Sequence, residues 1–335
     1  VVESELRKQP LKKKALGLYY ESNFHGIKVK HVFQKKYKST ILRILGFVYW
    51  HIVSFILGLM EKRVNYILSP SPPLTIGVIN LLIGKLKKAK VIYNVQEIYP
   101  DLLIEEGGLK SKPVISVLKS MESYVYNKSD KVTTIDKVFY ETIIPRFKDK
   151  DKLVIIPNFV DTEIYHPISI DNLKIDRTLF PETDSLKIMY AGNIGHAQDW
   201  KPLIDLAESL KDCSVEYFVI GEGAMKPYLE EEKRSRQLDK LHLIPYQPRE
   251  LMPQLLAYSD MQFIFMSKHT EGHGFPSKVY TVMACARPLL VCSGENTPIV
   301  NFLKDKDNAF LITETEHSAK VRTMSDILKN TNKEV

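Results

Sequence analysis

Cysteine is scarce in this sequence. Three among 335 residues, Cys213, Cys285 and Cys292, cannot build a disulfide framework, and no C-x-x-C pair or His/Cys cluster suggests zinc. A reducing, cytosolic setting is the natural inference. Other signatures are missing too. There is no H-E-x-x-H, no P-loop and no G-x-S-x-G elbow, which leaves metal-hydrolase and NTPase chemistry unsupported. The first residues, Val1-Val2-Glu3-Ser4-Glu5, show neither an initiator methionine nor the apolar core of a signal peptide. No repeat and no low-complexity tract is visible.

What is present is an ordinary globular composition, 44% hydrophobic and 26% charged. The length is about twice the usual ~150 residues of one domain, so two domains are expected. The net charge of +7 is unevenly spread. Residues 1–160 carry 27 Lys+Arg against 14 Asp+Glu, and the remainder carries 20 against 26. A basic half beside an acidic one suggests different partners. The basic half could meet nucleic acid, an anionic membrane or phosphorylated substrates, or simply present solvated lysines.

Strand-like and helix-like patterns alternate almost throughout, as in α/β proteins with parallel sheets. Strand-like runs lie at 27–33, 64–68, 90–95, 131–135 and 153–156, and again at 187–190, 215–220, 241–244, 262–266, 289–292 and 309–312. Pro157, Asn158 and Pro167 punctuate the chain between the two series. The expectation is two doubly wound domains, 1–160 and 161–335. The apolar segment 41–60 fits three descriptions. It could be a helix buried on a sheet, a helix in a membrane interface, or a true span of roughly 30 Å. As a helix it would carry one polar or small stripe of Arg43, Gly46, His51, Ser54 and Gly58, with the other faces apolar.

Ligands of open parallel sheets bind beyond the carboxyl ends of the strands. Four loops of the second half sit there. Gly192, Asn193 and Gly195 follow one strand, and Gly221 with Gly223 follow the next; both turns suit a phosphate, or merely a tight βα connection. Tyr246 and Gln247 follow a third strand and could read a base edge, or form a plain rigid loop. The fourth loop, Gly272 to Lys278, opens a helix through Pro276 and Ser277. A lysine at a helix start opposes the helix dipole unless an anion binds there. In the first half, Glu97 and Asp101 follow a buried strand, where either could act as a general base or cap a helical turn.

Taken together, the runs 93–101, 156–161, 190–198, 220–223 and 275–284 resemble those of GT-B glycosyltransferases, most of all family 4 and its bacterial N-acetylfucosamine and lipopolysaccharide branch. The resemblance covers roughly residues 60–312. It implies two Rossmann-like domains facing a cleft. It also implies retaining transfer of a sugar from a nucleotide-sugar, UDP-linked by preference, to a polyprenyl-diphosphate-linked saccharide in surface-polysaccharide or lipopolysaccharide assembly. The enzyme would sit peripherally on the cytoplasmic face of the cell membrane, attached to its anionic surface through the basic first domain. No metal and no cofactor is implied, nor any nucleic-acid partner. By the resemblance, Gly192, Asn193, Gly195 and Lys278 would meet the diphosphate, with Gln198, Lys201 and Gly221 nearby and Tyr246 and Gln247 at the base. His273, Pro276, Ser277 and Thr281 would complete the donor site, and Glu97 and Asp101 would serve catalysis from the acceptor side.

Some positions depart from the family pattern. The family's two glutamates, with seven residues between them, correspond to His273 and Thr281, and Glu271 is displaced by two residues. The usual arginine beside the first glycine is Asn193. Nothing before Ile27 matches the family's opening strand, glycine-rich loop and helix, so the first domain is expected to be incomplete. Residues 330–335 likewise cannot supply its closing helix. A non-catalytic relative that binds a nucleotide-sugar or a partner enzyme therefore stays open, as does a nucleotide-sugar epimerase.

Overall fold

The computed structural model describes residues 10–33, 37–105, 108–271 and 275–331. The chain forms two compact units that divide between Ile156 and Pro157.

The first unit opens with an antiparallel meander of β1 (Lys12–Lys14), β2 (Tyr19–Phe24) and β3 (Ile27–His31). The run beginning at Ile27 was expected in the parallel series. It is a hairpin strand instead, because His25 and Gly26 both take positive φ and fold it back onto β2, with Phe24 opposite Ile27. Next come α1 (Thr40–Met60), β4 (Tyr66–Pro70), α2 (Leu74–Lys87), β5 (Lys90–Val95), α3 (Asp101–Glu105) and α4 (Lys112–Lys128). The unit ends with β6 (Lys131–Thr134), α5 (Lys137–Ile143) and β7 (Leu153–Ile155).

Strands β4 to β7 form a parallel sheet in simple succession. Right-handed connections then put α2 and α4 on one face, where they contact each other. Tyr93, Val95, Val125, Tyr126, Val132 and Phe139 fill that layer. On β4, the opposite face leaves Tyr66 and Leu68 exposed.

Helix α1 packs on α2 rather than on the sheet, and it buries only His51 and Leu57. A buried core helix is therefore not what forms. The reason lies in its polar stripe. His51 Nδ1–H donates to the Phe47 carbonyl (2.8 Å) and Nε2 accepts from the Thr75 hydroxyl (2.8 Å). A Cβ at Gly58 would lie 2.7 Å from Ile83 Cδ1, so glycine lets the two helices approach closely here without displacing that methyl. The polar and small side thus faces the protein, and the apolar sides face outward. By length and composition alone, α1 could cross a membrane.

The second unit comprises β8 (Leu186–Ala191), α6 (Lys201–Ser209), β9 (Val215–Ile220), α7 (Lys226–Arg236), β10 (Leu241–Ile244) and α8 (Met252–Tyr258). It continues with β11 (Met261–Phe265), α9 (Lys278–Ala284), β12 (Leu289–Cys292), α10 (Pro298–Leu303), β13 (Ala309–Ile312) and α11 (His317–Thr331). All six strands are parallel, in the order β10-β9-β8-β11-β12-β13. The chain winds outward from β8 to β10, then returns to the other side of β8. That reversal makes a switch point between the carboxyl ends of β8 and β11. Its strands are mostly apolar, as burial on both faces demands, with Lys187, Glu216, His242 and Gln262 the polar exceptions; Ile188, Val219, Phe263 and Leu290 are sealed from solvent.

Candidate functional site in the second unit

The loops leaving β8 and β9 are built as one piece. Gly192 N–H donates to the Ile220 carbonyl, Ile194 N–H to Glu222 O, and Met225 N–H to Ile194 O, each at 2.9 Å. Glycine is needed at two points of contact. Gly221 has φ +144°, and a Cβ there would lie 1.9 Å from the Gly192 carbonyl oxygen; a Cβ on Gly223 would lie 2.2 Å from Ile194 O. These glycines serve loop-to-loop packing as well as any ligand.

The switch point is fastened by aromatic and amide side chains. Tyr190 ends β8 with its hydroxyl donating to Asn193 O (2.7 Å), and Trp200 Nε1–H donates to Gly195 O (2.9 Å). Buried Gln198 accepts from Phe265 N–H (3.1 Å), bridging the loop to β11. Gln198 therefore holds the loop by its side-chain oxygen, and its expected role on the donor is secondary to that bond. Lys201 also differs from expectation. It is exposed and pairs with Asp205, beside His317, on the outer surface of α6 and α11.

Lys278 is the chemical centre of the arrangement. Its Nζ lies 3.6 Å from the centroid of the Tyr190 ring and 3.4 Å from the Ala191 carbonyl. Among the described residues no carboxylate is in ion-pair contact with it. The residue is half-buried and its ammonium is enclosed, so burial pulls its pKa from 10.5 down to about 7. Gly192 leaves the space beside it open, since a Cβ there would stand 3.1 Å from Nζ. An enclosed cation with no carboxylate partner among the described residues, beside a glycine loop at a switch point, has the character that suits an anion.

The remaining donor-side candidates separate. Asn193 is exposed at the loop tip, Pro276 is half-buried and Ser277 is exposed before α9. The Thr281 hydroxyl is spent on its own helix, donating to Lys278 O (2.8 Å). His273 lies outside the described residues. Glu271 instead accepts from Gly294 N–H (2.8 Å) at the end of β12, which fixes its carboxylate on the side of the site away from β8. Tyr246, largely exposed, and Gln247, whose amide donates to Pro245 O, follow β10. Two strand spacings separate β10 from β8, roughly 10 Å. Tyr190 went unnoticed in the sequence; its signal was an aromatic at a strand end directly before the glycine loop.

In the first unit, exposed Glu97 follows β5, where its carbonyl accepts from the Ser71 hydroxyl. Asp101 does not fit a general base. Its carboxylate is held by Arg146 and by Lys119 (3.2 Å), and Arg146 also binds the buried Glu122 (2.6 Å). Burial alone would raise the Asp101 pKa, but the two cations bring it below the usual carboxylate value. The network ties α3 and α4 to the turn after α5, which is a structural role. Among the described residues no group of three or more His, Cys, Asp or Glu could hold a metal ion.

This fold and this site define a GT-B glycosyltransferase architecture. Residues 171–335, just under half of the chain, match the model of the family Glycosyl transferases group 1. The chain is 23% identical over 255 residues to WcaI of Escherichia coli (strain K12), a colanic acid biosynthesis glycosyl transferase by name, covering 74% of this chain and 63% of that protein. It is 21% identical over 246 residues to WbjE of Pseudomonas aeruginosa, a glycosyltransferase by name, covering 73% and 61%. The chain thus spans less than two thirds of either relative. Among solved structures, HepE of Anabaena with UDP superposes at a TM-score of 0.65 with 14% identity, over 86% of this chain and 75% of that one. Sucrose-phosphate synthase of Thermosynechococcus elongatus gives 0.68 with 10% identity, over 96% and 77%.

Proposed function

We propose that this chain transfers a sugar from a nucleotide-sugar, UDP-linked by preference, to a lipid-linked saccharide in surface-polysaccharide assembly. The observation that carries this is the enclosed, unpaired ammonium of Lys278 over Tyr190, at the carboxyl-end switch point of the second unit. A departing nucleoside diphosphate gains negative charge as the bond from the sugar C1 breaks, and a preorganised cation with adjacent amides stabilises that charge. The scheme uses no metal. The incoming hydroxyl forms the new bond to C1 on the face the diphosphate leaves, and its proton passes to the departing phosphate oxygen.

The names of the relatives support polysaccharide assembly, and the UDP-bound neighbour supports the nucleotide. A polyprenyl-diphosphate carrier and attachment to the anionic cytoplasmic membrane surface complete the proposal, on the strength of the basic first half. The test is a thermal-shift screen of UDP-, GDP- and dTDP-sugars. A ligand at 100 times its dissociation constant should add about 2.7 kcal/mol of stability. Silence from all three sinks the donor site. Binding without transfer to any lipid-linked acceptor favours the binding-only alternative, for which the engaged Thr281 hydroxyl speaks.

A further inference from the structure

Helices on water-soluble domains turn their apolar side inward. Helix α1 does the reverse. Its outward stripe of Ile41, Leu45, Ile52, Ile56 and Met60 is 49–71% exposed, and it runs nearly the whole length of the helix. At 1.5 Å per residue that is about 30 Å of continuous apolar surface. The meander lies alongside, because the Tyr49 hydroxyl donates to Leu18 O (3.3 Å) and Lys30 pairs with Glu61. Between β1 and β2 the chain turns through Ala15–Gly17, presenting Leu16 wholly to solvent and Leu18 half so. Exposed Lys12, Lys13 and Lys14 lead directly into that turn. Glu21 neutralises part of this charge through Lys14 and Lys28, leaving Lys12 and Lys13. Between positions 10 and 63 the chain carries eleven basic and two acidic residues.

We propose that the outward face of α1, together with Leu16 and Leu18, seats this chain on an anionic lipid bilayer, with α1 in the membrane plane and the lysines at headgroup depth. Apolar side chains interleaved with cations match that one surface, since the acyl boundary takes the former and anionic headgroups the latter. In-plane seating follows from the inner side of the helix. It is fixed to α2 at His51–Thr75 and again at Gly58–Ile83. A span would carry α2, with its exposed Lys85 and the exposed Lys88 that follows it, into hydrocarbon. The inference rests on the membrane part of the proposed function and not on the transfer chemistry.

The experiment is sedimentation of the purified full chain with vesicles of phosphatidylcholine alone, or with roughly 30% phosphatidylglycerol. The variant is Ile52→Glu with Ile56→Glu, at two exposed positions where folding does not depend on the side chain. Wild type should pellet with the anionic vesicles and far less with the neutral ones. The double variant should partition at least about tenfold more weakly while keeping the wild-type melting temperature. Three results would each overturn the inference. The double variant could bind anionic vesicles as tightly as wild type. Wild type could stay in the supernatant, with light scattering showing a dimer that the variant abolishes. The chain in cells could resist alkaline carbonate extraction, as a spanning helix does. A UDP thermal shift on the same samples separates the two proposals: its absence from wild type removes the donor site, whatever the vesicles show.

Discussion

Replacing Lys278 with methionine should make the ligand-free protein more stable while abolishing its response to UDP. The ammonium is held at a pKa of about 7 against 10.5 for a free lysine, which amounts to at most about 5 kcal/mol. The residue is only half-buried and water can reach the loop, so about 2 kcal/mol is the realistic gain. The sign follows from proton linkage. Because the folded value is depressed, the folded state bears the full cost below pH 7, and the cost fades as pH rises from about 7 towards 10.5. Methionine fills the same space, and its sulfur can rest on the Tyr190 ring in place of the cation. For a unit of this size, the apo melting temperature should rise by about 5 °C at pH 6.5, and by less at pH 9. Differential scanning fluorimetry with and without UDP reads both effects. A variant that melts below wild type at pH 6.5, or that UDP stabilises as strongly as wild type, would falsify the assignment of Lys278 as the anion's partner.

Donor affinity should itself depend on pH. Binding a diphosphate requires the charged lysine, so UDP-glucose affinity should fall by up to about tenfold per unit between pH 7 and 9; calorimetry checks this, and an affinity independent of pH over that range would refute it. Gly223→Ala places a Cβ 2.2 Å from Ile194 O, so the paired loops must part. Urea melts should show a loss of about 1–3 kcal/mol, accompanied by loss of the UDP shift; an unchanged shift would mean the loops do not form the site. Arg146→Met leaves Glu122, 2% exposed, buried without its partner, and should cost about 3–5 kcal/mol of stability. Adding Glu122→Gln should restore most of that loss, whereas no recovery would show that the arginine acts by packing alone.

The alternation of strands and helices along the chain was legible because burying both faces of a parallel sheet imposes apolar runs that no helix period imitates. Strands β5, β9, β10, β12 and β13 lie where those runs end and begin. The glycine pairs at 192–195 and 221–223 and the lysine at 278 were legible too, since few other residues tolerate a close backbone approach or demand an anion. Contacts were not. Asp101, Gln198, Lys201 and Thr281 were each expected at the site, yet their side chains bond to Arg146, Phe265, Asp205 and the Lys278 carbonyl respectively. Which partner a polar atom finds depends on residues 3 to 67 positions away. Local pattern carries no trace of the two distant partners, Arg146 and Phe265, whereas the Lys201–Asp205 and Thr281–Lys278 bonds are ordinary helix spacings.

The orientation of α1 shows the same division. Its polar stripe could be read from the sequence by counting around a helix. Which side met the protein depended on Thr75 and Ile83 of a different helix, because the His51–Thr75 hydrogen bond and the close approach at Gly58 outweigh the pull of an apolar face with no core left to enter. Scarce cysteine, an uneven charge and a switch-point lysine were settled by sequence alone. Only the fold decided that the lysine stands over Tyr190 with no carboxylate partner among the described residues, and that α1 turns its apolar side outward.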